Sequence, residues 1–189
     1  MKKPADYLHV SIAGQRLQFW QDGVMRTEYP VSTALKGPGE TLGSEQTPRG
    51  WHRIRARIGD GCEPGTVFIG RRPTGEIYSE ALARQHPQRD WILTRILWLC
   101  GMEPGRNRFG NVDSMRRYIY IHGCPESEPM GVPRSHGCVR MRDADLIDLF
   151  QRVAPGLPVL IAEEPLYCVA NGCGKALEQI DLLRRVSAE

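Results

Sequence analysis

Apolar and polar residues alternate through the first third of the chain, and a period of two marks half-buried strands. Leu8-His9-Val10-Ser11-Ile12 alternates, and Ala13-Gly14 turns the chain. Arg16-Leu17-Gln18-Phe19-Trp20 follows, Asp22-Gly23 is a hairpin dipeptide, and Val24 to Ser32 supplies a third strand. Residues 36–50 hold four glycines and two prolines among polar side chains, so a loop is expected. Trp51 to Ile58 sets Trp51, Arg53, Arg55 and Arg57 against His52, Ile54, Ala56 and Ile58, which suits a strand with one exposed face. Ile92 to Leu99 fits either strand or helix, and the early stop at Gly101, Pro104 and Gly105 favours strand. Tyr118-Ile119-Tyr120-Ile121 reads as a strand running into His122, with Tyr118, Tyr120 and His122 on one face.

The period changes late in the chain. Asp143 is the expected N-cap of a helix that turns Leu146, Leu149, Phe150 and Val153 to one side and ends at Pro155-Gly156. Val159-Leu160-Ile161 is a last strand, and Ala176 to Val186 reads as a C-terminal helix. The expected fold class is α+β, mainly β, with two helices late in the chain.

At 189 residues the chain has length for one real core. A net charge of +3 with scattered Lys and Arg gives no footprint for nucleic acid. Arg134, Arg140 and Arg142 are a local excess that suits a small anionic substrate. The longest apolar run, Trp91 to Met102, is broken by Thr94 and Arg95 and is too short to span a membrane. No apolar stretch follows Lys2-Lys3, so the expected compartment is the cytoplasm, or the periplasm or cell envelope if a leader has been removed. Six cysteines are then expected reduced, and Cys168 and Cys173 read as ordinary thiols.

The densest chemistry is a repeated tripeptide, His122-Gly123-Cys124 and His136-Gly137-Cys138. Three readings are open. A thiol nucleophile needs a base, and His122 and His136 both qualify; the Gly137 and Cys138 N–H groups could face an oxyanion, and a helix start just beyond could lower the thiol pKa. The same four side chains are sound zinc ligands, although a single residue between ligands is unusual spacing. The third reading is packing: Cys124, His9, His52 and His86 read best as structural.

The run Ile121-His122-Gly123, twelve residues from Gly123 to Arg134, then Ser135-His136-Gly137-Cys138-Val139-Arg140-Met141 resembles the signature of the L,D-transpeptidase (YkuD, ErfK-like) catalytic domains. Tyr29-Pro30-Val31-Ser32-Thr33 and Thr47-Pro48-Arg49-Gly50 are similar to that family too. The resemblance covers residues 7–163 and leaves 164–189 as a helical extension. It implies a β-sandwich-like core and a cysteine acyl-enzyme acting on peptidoglycan stem tetrapeptides or muropeptides, without cofactor or metal. It implies Cys138 as nucleophile, His122 as base oriented by the Gly123 carbonyl, and His136 in support. Ser135 and Gly137 would shape the oxyanion region, Arg140 would bind a substrate carboxylate, and Tyr120 would line the site. Water as acceptor makes an L,D-carboxypeptidase of muropeptide recycling, which the expected compartment favours; an amine makes a cross-linking L,D-transpeptidase. Carbapenem-type inhibitors are expected to acylate Cys138. The contrasting class is a zinc-stabilised or degenerate cell-wall-binding module.

Overall fold

The computed structural model describes residues 3–163. Its elements are β1 (Tyr7–Ser11), β2 (Arg16–Gln21), β3 (Val24–Pro30), β4 (Gly50–Ile58), β5 (Thr66–Ile69), β6 (Arg72–Ile77), α1 (Glu80–Gln85), β7 (Leu93–Gly101), β8 (Tyr120–Gly123), β9 (Val139–Met141), α2 (Asp143–Arg152) and β10 (Pro158–Ala162). The fold is α+β and mostly β, as expected. The C-terminal helix, Cys168, Cys173 and the proposed 164–189 extension lie outside the described residues.

The strands form one sheet that forks. Its main path runs β3-β2-β1-β10-β4-β7; from β7 one branch continues to β5 and β6, the other to β8 and β9. β1 lies parallel to β10 and β8 parallel to β9. Hairpin alternation could not reveal either parallel pair, because the partners are distant in sequence. β5 joins β7 through a single residue pair, Val67 with Leu93.

The main path, the β8–β9 branch and α2 enclose one core. Leu8, Leu17, Ile54, Leu97, Leu99, Ile121, Val139, Leu146, Leu149 and Ile161 are all buried in it. Each side chain of this size contributes about 1.5–3 kcal/mol by leaving water. α2 buries Leu146, Leu149 and Phe150, the face that its spacing predicts.

Several local expectations need correction. β8 begins at Tyr120; Tyr118 lies in the preceding turn at φ 58°, with its side chain exposed. The N-cap of α2 is Arg142, which makes no side-chain capping bond, and Asp143 is the first helical residue. Its carboxylate instead turns inward and accepts from the Thr94 hydroxyl. The β5–β6 hairpin and α1 were not anticipated. β6 is mostly exposed and α1 buries no residue, so neither shows a burial period.

Candidate active site

The parallel pairing of β8 and β9 decides how the two His-Gly-Cys copies meet. The register sets Ile121 beside Val139, His122 beside Arg140 and Gly123 beside Met141. The copies are therefore out of step: Cys138 stands near Tyr120, and His122 faces Arg140 rather than His136. Ile121 and Val139 point into the core, so Tyr120, His122, Cys138 and Arg140 share the other face. The structure brings together the residues on which the resemblance puts most weight.

His122 is buried, and its Nδ1 lies 2.8 Å from the Gly123 carbonyl oxygen. That contact makes Nδ1 the protonated nitrogen and leaves Nε2 as the free base. Burial holds the imidazole below its usual pKa, partly opposed by the Asp90 carboxylate. Gly123 has to be glycine for space, since a Cβ there would run into the Asp143 carboxylate and the Leu93 carbonyl.

Cys138 is half-buried, with its sulfur tucked between two backbone groups. The Tyr120 N–H donates to Sγ at 3.4 Å, and the thiol faces the Tyr118 carbonyl at 3.5 Å. Burial pushes the thiol pKa up to about 12; the Tyr120 N–H, Arg140 and Arg117 pull the other way, while Asp90 adds to the rise. The expected help from a helix start is not there, because β9 intervenes before α2. Both shifts favour the uncharged forms, a thiol on Cys138 and a neutral imidazole on His122.

The Ser135-His136-Gly137-Cys138 loop is locked by its own groups and by two distant segments. The Ser135 hydroxyl donates to the Cys138 carbonyl at 2.5 Å and accepts from the Gly137 N–H at 3.2 Å. That second bond corrects the expected oxyanion pair: the Gly137 N–H is occupied, and the Cys138 N–H meets no acceptor among the described residues. Gly137 sits at φ 128°, a conformation that side chains rarely adopt. Its carbonyl accepts from the Thr47 hydroxyl, which also accepts from the Ala34 N–H. Ser32 exchanges two backbone bonds with Arg140, and the Thr33 carbonyl receives the Arg134 and Ser135 N–H groups. Thr47 and Ser32-Thr33 entered as points of resemblance only; they are the clamps of this loop.

Arg140 is buried and already paired. Its guanidinium lies 2.7 Å from the Asp90 carboxylate and 3.0 Å from that of Glu128. The open carboxylate fork expected of Arg140 is therefore corrected to a bridge between two loops. His136 is largely exposed and stands 3.5 Å from Asp90. Asp90, Glu128, Arg134, Arg140 and His136 line a cavity of about 340 Å³. Sequence reasoning missed Asp90 and Glu128, which arrive from separate loops with no motif of their own.

Cys124 is buried, donates to the Met141 carbonyl at 3.4 Å and is pushed up to about 12 by burial. It lies four residues along β8 from Tyr120, hence roughly 13 Å from the Cys138 position. A disulfide between them is out of reach. Among the described residues no group of three metal-ligating side chains is gathered, so the four candidate zinc ligands do not converge. His9 and His52 are packed residues as expected, with His52 bonded to the Gly50 carbonyl and Ser114. No helix among the described residues is long and apolar enough to cross a membrane.

A forked, mostly β domain that presents a histidine and a cysteine from two parallel strands on one face is the class of protein the structure defines. The L,D-transpeptidase catalytic domain (YkuD) family model matches residues 5–161, and the chain belongs to that family. Among solved structures, an Enterococcus faecium L,D-transpeptidase aligns at TM-score 0.52 and 15% identity, covering 84% of this chain and 50% of that one. L,D-transpeptidase 3 from Mycobacterium tuberculosis, in complex with a faropenem-derived adduct, aligns at TM-score 0.52 and 19% identity, covering 85% and 61%. The Bdellovibrio bacteriovorus protein Bd1075 aligns at TM-score 0.53 and 16% identity, covering 85% and 48%. At these identities the likeness is one of fold, and this chain spans about half to three-fifths of each. Curated sequence matches are short: the cell shape-determining protein MreB of Haemophilus influenzae is 56% identical over 36 residues, 19% of this chain and 10% of that protein. Escherichia coli MreB is 67% identical over 27 residues, 14% and 8%. Stretches of that length carry neither fold nor activity.

Proposed function

We propose that the chain is a cysteine acyl-enzyme acting on peptidoglycan stem tetrapeptides, at the bond between the diamino acid and the terminal D-alanine. The observation that carries this reading is the His122 ring, fixed through Nδ1 to the Gly123 carbonyl on the strand face that also presents Cys138. His122 Nε2 takes the thiol proton as sulfur attacks the carbonyl carbon. The Cys138 N–H donates to the oxygen that becomes negative. The proton passes to the departing amine, D-alanine leaves, and a thioester remains on Cys138. With the thiol raised and the imidazole lowered, proton transfer accompanies attack rather than preceding it.

For the second step we propose water as acceptor, which makes the enzyme an L,D-carboxypeptidase of muropeptides in the cytoplasm. The half-buried sulfur supports this, since water reaches a thioester there with less rearrangement than a second stem does. An amine from a neighbouring stem gives the cross-linking alternative. Incubation with disaccharide-tetrapeptide and mass spectrometry of the products tests both: tripeptide is expected, and dimer as main product would overturn the choice of water. Acylation of Cys138 by carbapenem-type β-lactams belongs to the same proposal and is supported by the faropenem-derived adduct in the Mycobacterium relative. An intact mass unchanged after carbapenem treatment counts against it.

A further inference from the structure

Two guanidinium groups, Arg140 and Arg117, act on Cys138 directly, and a third, Arg71, sits on the two tyrosines that hold its sulfur; their partners differ in kind. Arg140 is neutralised by Asp90 and Glu128. Arg117 is taken up by the Gly39 and Gln46 carbonyls and the Ser44 hydroxyl. Arg71 has no carboxylate partner among the described residues. It donates from Nη1 to the Tyr120 hydroxyl at 2.9 Å, and its guanidinium carbon lies 4.4 Å from the Trp98 ring centroid and 4.9 Å from that of Tyr118. The guanidinium thus lies within cation–π distance of two aromatic rings. Its remaining N–H edge has no partner among the described residues.

The placement is built, not incidental. Arg71 is the tip of the β5–β6 hairpin and holds φ 68°, while Tyr118 holds φ 58°. Non-glycine residues seldom adopt this region, and here two of them bring one cation and one ring together. Phe68, buried against Ile96 and Tyr120, fixes the hairpin that carries Arg71. The same two tyrosines that grip Arg71 also hold the sulfur, Tyr118 by its carbonyl and Tyr120 by its N–H.

We infer that Arg71 is the anchor for the carboxylate of the terminal residue that leaves, and so determines specificity for a free C-terminus one residue beyond the scissile bond. The inference rests on the peptidase reading given above. Tyr118 and Tyr120 link the two groups directly, each touching both Arg71 and the sulfur. That carboxylate lies at most about 5 Å from the scissile carbon, from standard bond lengths. Arg71 meets the far end of the Tyr120 side chain, whose backbone N–H holds the sulfur. The charge pattern agrees as well. A lone carboxylate suits an unpaired cation, whereas the cavity beside Arg140 mixes both signs and suits a group carrying both. A longer peptide or an amidated end offers Arg71 no anion at that position.

The test compares a stem tetrapeptide with its C-terminal amide in two assays. Turnover is read with the unaltered chain and Arg71→Gln. Binding is read calorimetrically with Cys138→Ala and Cys138→Ala/Arg71→Gln. The unaltered chain should favour the free acid by roughly tenfold in kcat/KM and Cys138→Ala by a similar ratio in Kd, the worth of one charge-assisted bond. Arg71→Gln should bring acid and amide to within about twofold of each other, mainly by weakening the acid. Arg71→Lys should keep part of the preference, which excludes simple loss of packing. No acid preference, or equal losses on acid and amide in Arg71→Gln, overturns the anchor while turnover upholds the peptidase. An Arg71-dependent acid preference in binding, without turnover by the unaltered chain, keeps Arg71 as a site for a peptide carboxylate but overturns the peptidase and, with it, the anchoring of a leaving residue. Neither binding nor turnover overturns both.

Discussion

The Nδ1 of His122 lies 2.8 Å from the carbonyl oxygen of the very next residue, Gly123. A histidine oriented by its neighbour's backbone needs no carboxylate third member, and that carbonyl stays when side chains are exchanged. The arrangement fixes the tautomer with Nε2 free, and it places the demand for precision on the backbone of β8.

Cys138→Ala is expected to abolish turnover of stem tetrapeptide, and His122→Ala to lower kcat by at least about a hundredfold, the usual worth of a general base. Cys124→Ala should leave activity near that of the unaltered chain, because its thiol is buried, bonded to the Met141 carbonyl and roughly 13 Å from the Cys138 position. Product formation followed by mass spectrometry checks all three, and full activity in Cys138→Ala would remove the acyl-enzyme.

The pH profile should show one acid limb. His122 acts as a base only when neutral, and its pKa lies below the ordinary 6.5, so kcat/KM should be lost as pH falls through a midpoint under that value. Asp90 raises the His122 pKa, so Asp90→Asn should move the limb to still lower pH. A limb displaced upward would contradict the proposed role of Asp90.

Gly123→Ala should damage both stability and activity. The added methyl meets the Asp143 carboxylate and the Leu93 carbonyl, neither of which can withdraw easily. A cost of about 1–3 kcal/mol is expected from such overpacking, measurable by urea unfolding. Asp143→Ala/Gly123→Ala should recover part of this, because the pair is in contact and non-additive.

Acid should weaken the fold before carboxylates titrate fully. His52 is buried and held to about 4, against 6.5 when exposed, and His9 is held to about 4 likewise. The unfolded chain takes up these protons first, so stability is full above about pH 6.5 and falls as the pH drops towards 4. Tm measured across that window should fall, and His52→Gln should flatten the slope.

Much of this could be read from residues in order. β4, β10 and α2 were legible because each buries one face at its own period, β1 and β2 because their apolar residues alternate although both faces are covered, and β7 because glycine and proline stop it early. His122, Gly123 and Cys138 were legible because the motif keeps them close along the chain. Asp90 and Glu128 were not, since their meeting with Arg140 depends on how two loops close over β9. Arg71 was invisible for a related reason: its hairpin shows no apolar alternation. The thiol pKa was misjudged from sequence because helix proximity counts along the chain and burial does not.

The β5–β6 hairpin meets β7 through the single pair Val67–Leu93, and Phe68 is its buried bolt. In the language of hydrogen exchange this makes two tiers of protection within one small domain. Amides of β6 should exchange by local opening at low free energy, while those of Leu97, Leu99 and Ile121 should wait for global unfolding. The strand that carries His122 and Gly123 lies in the tightly protected tier, so opening of the hairpin leaves both in place.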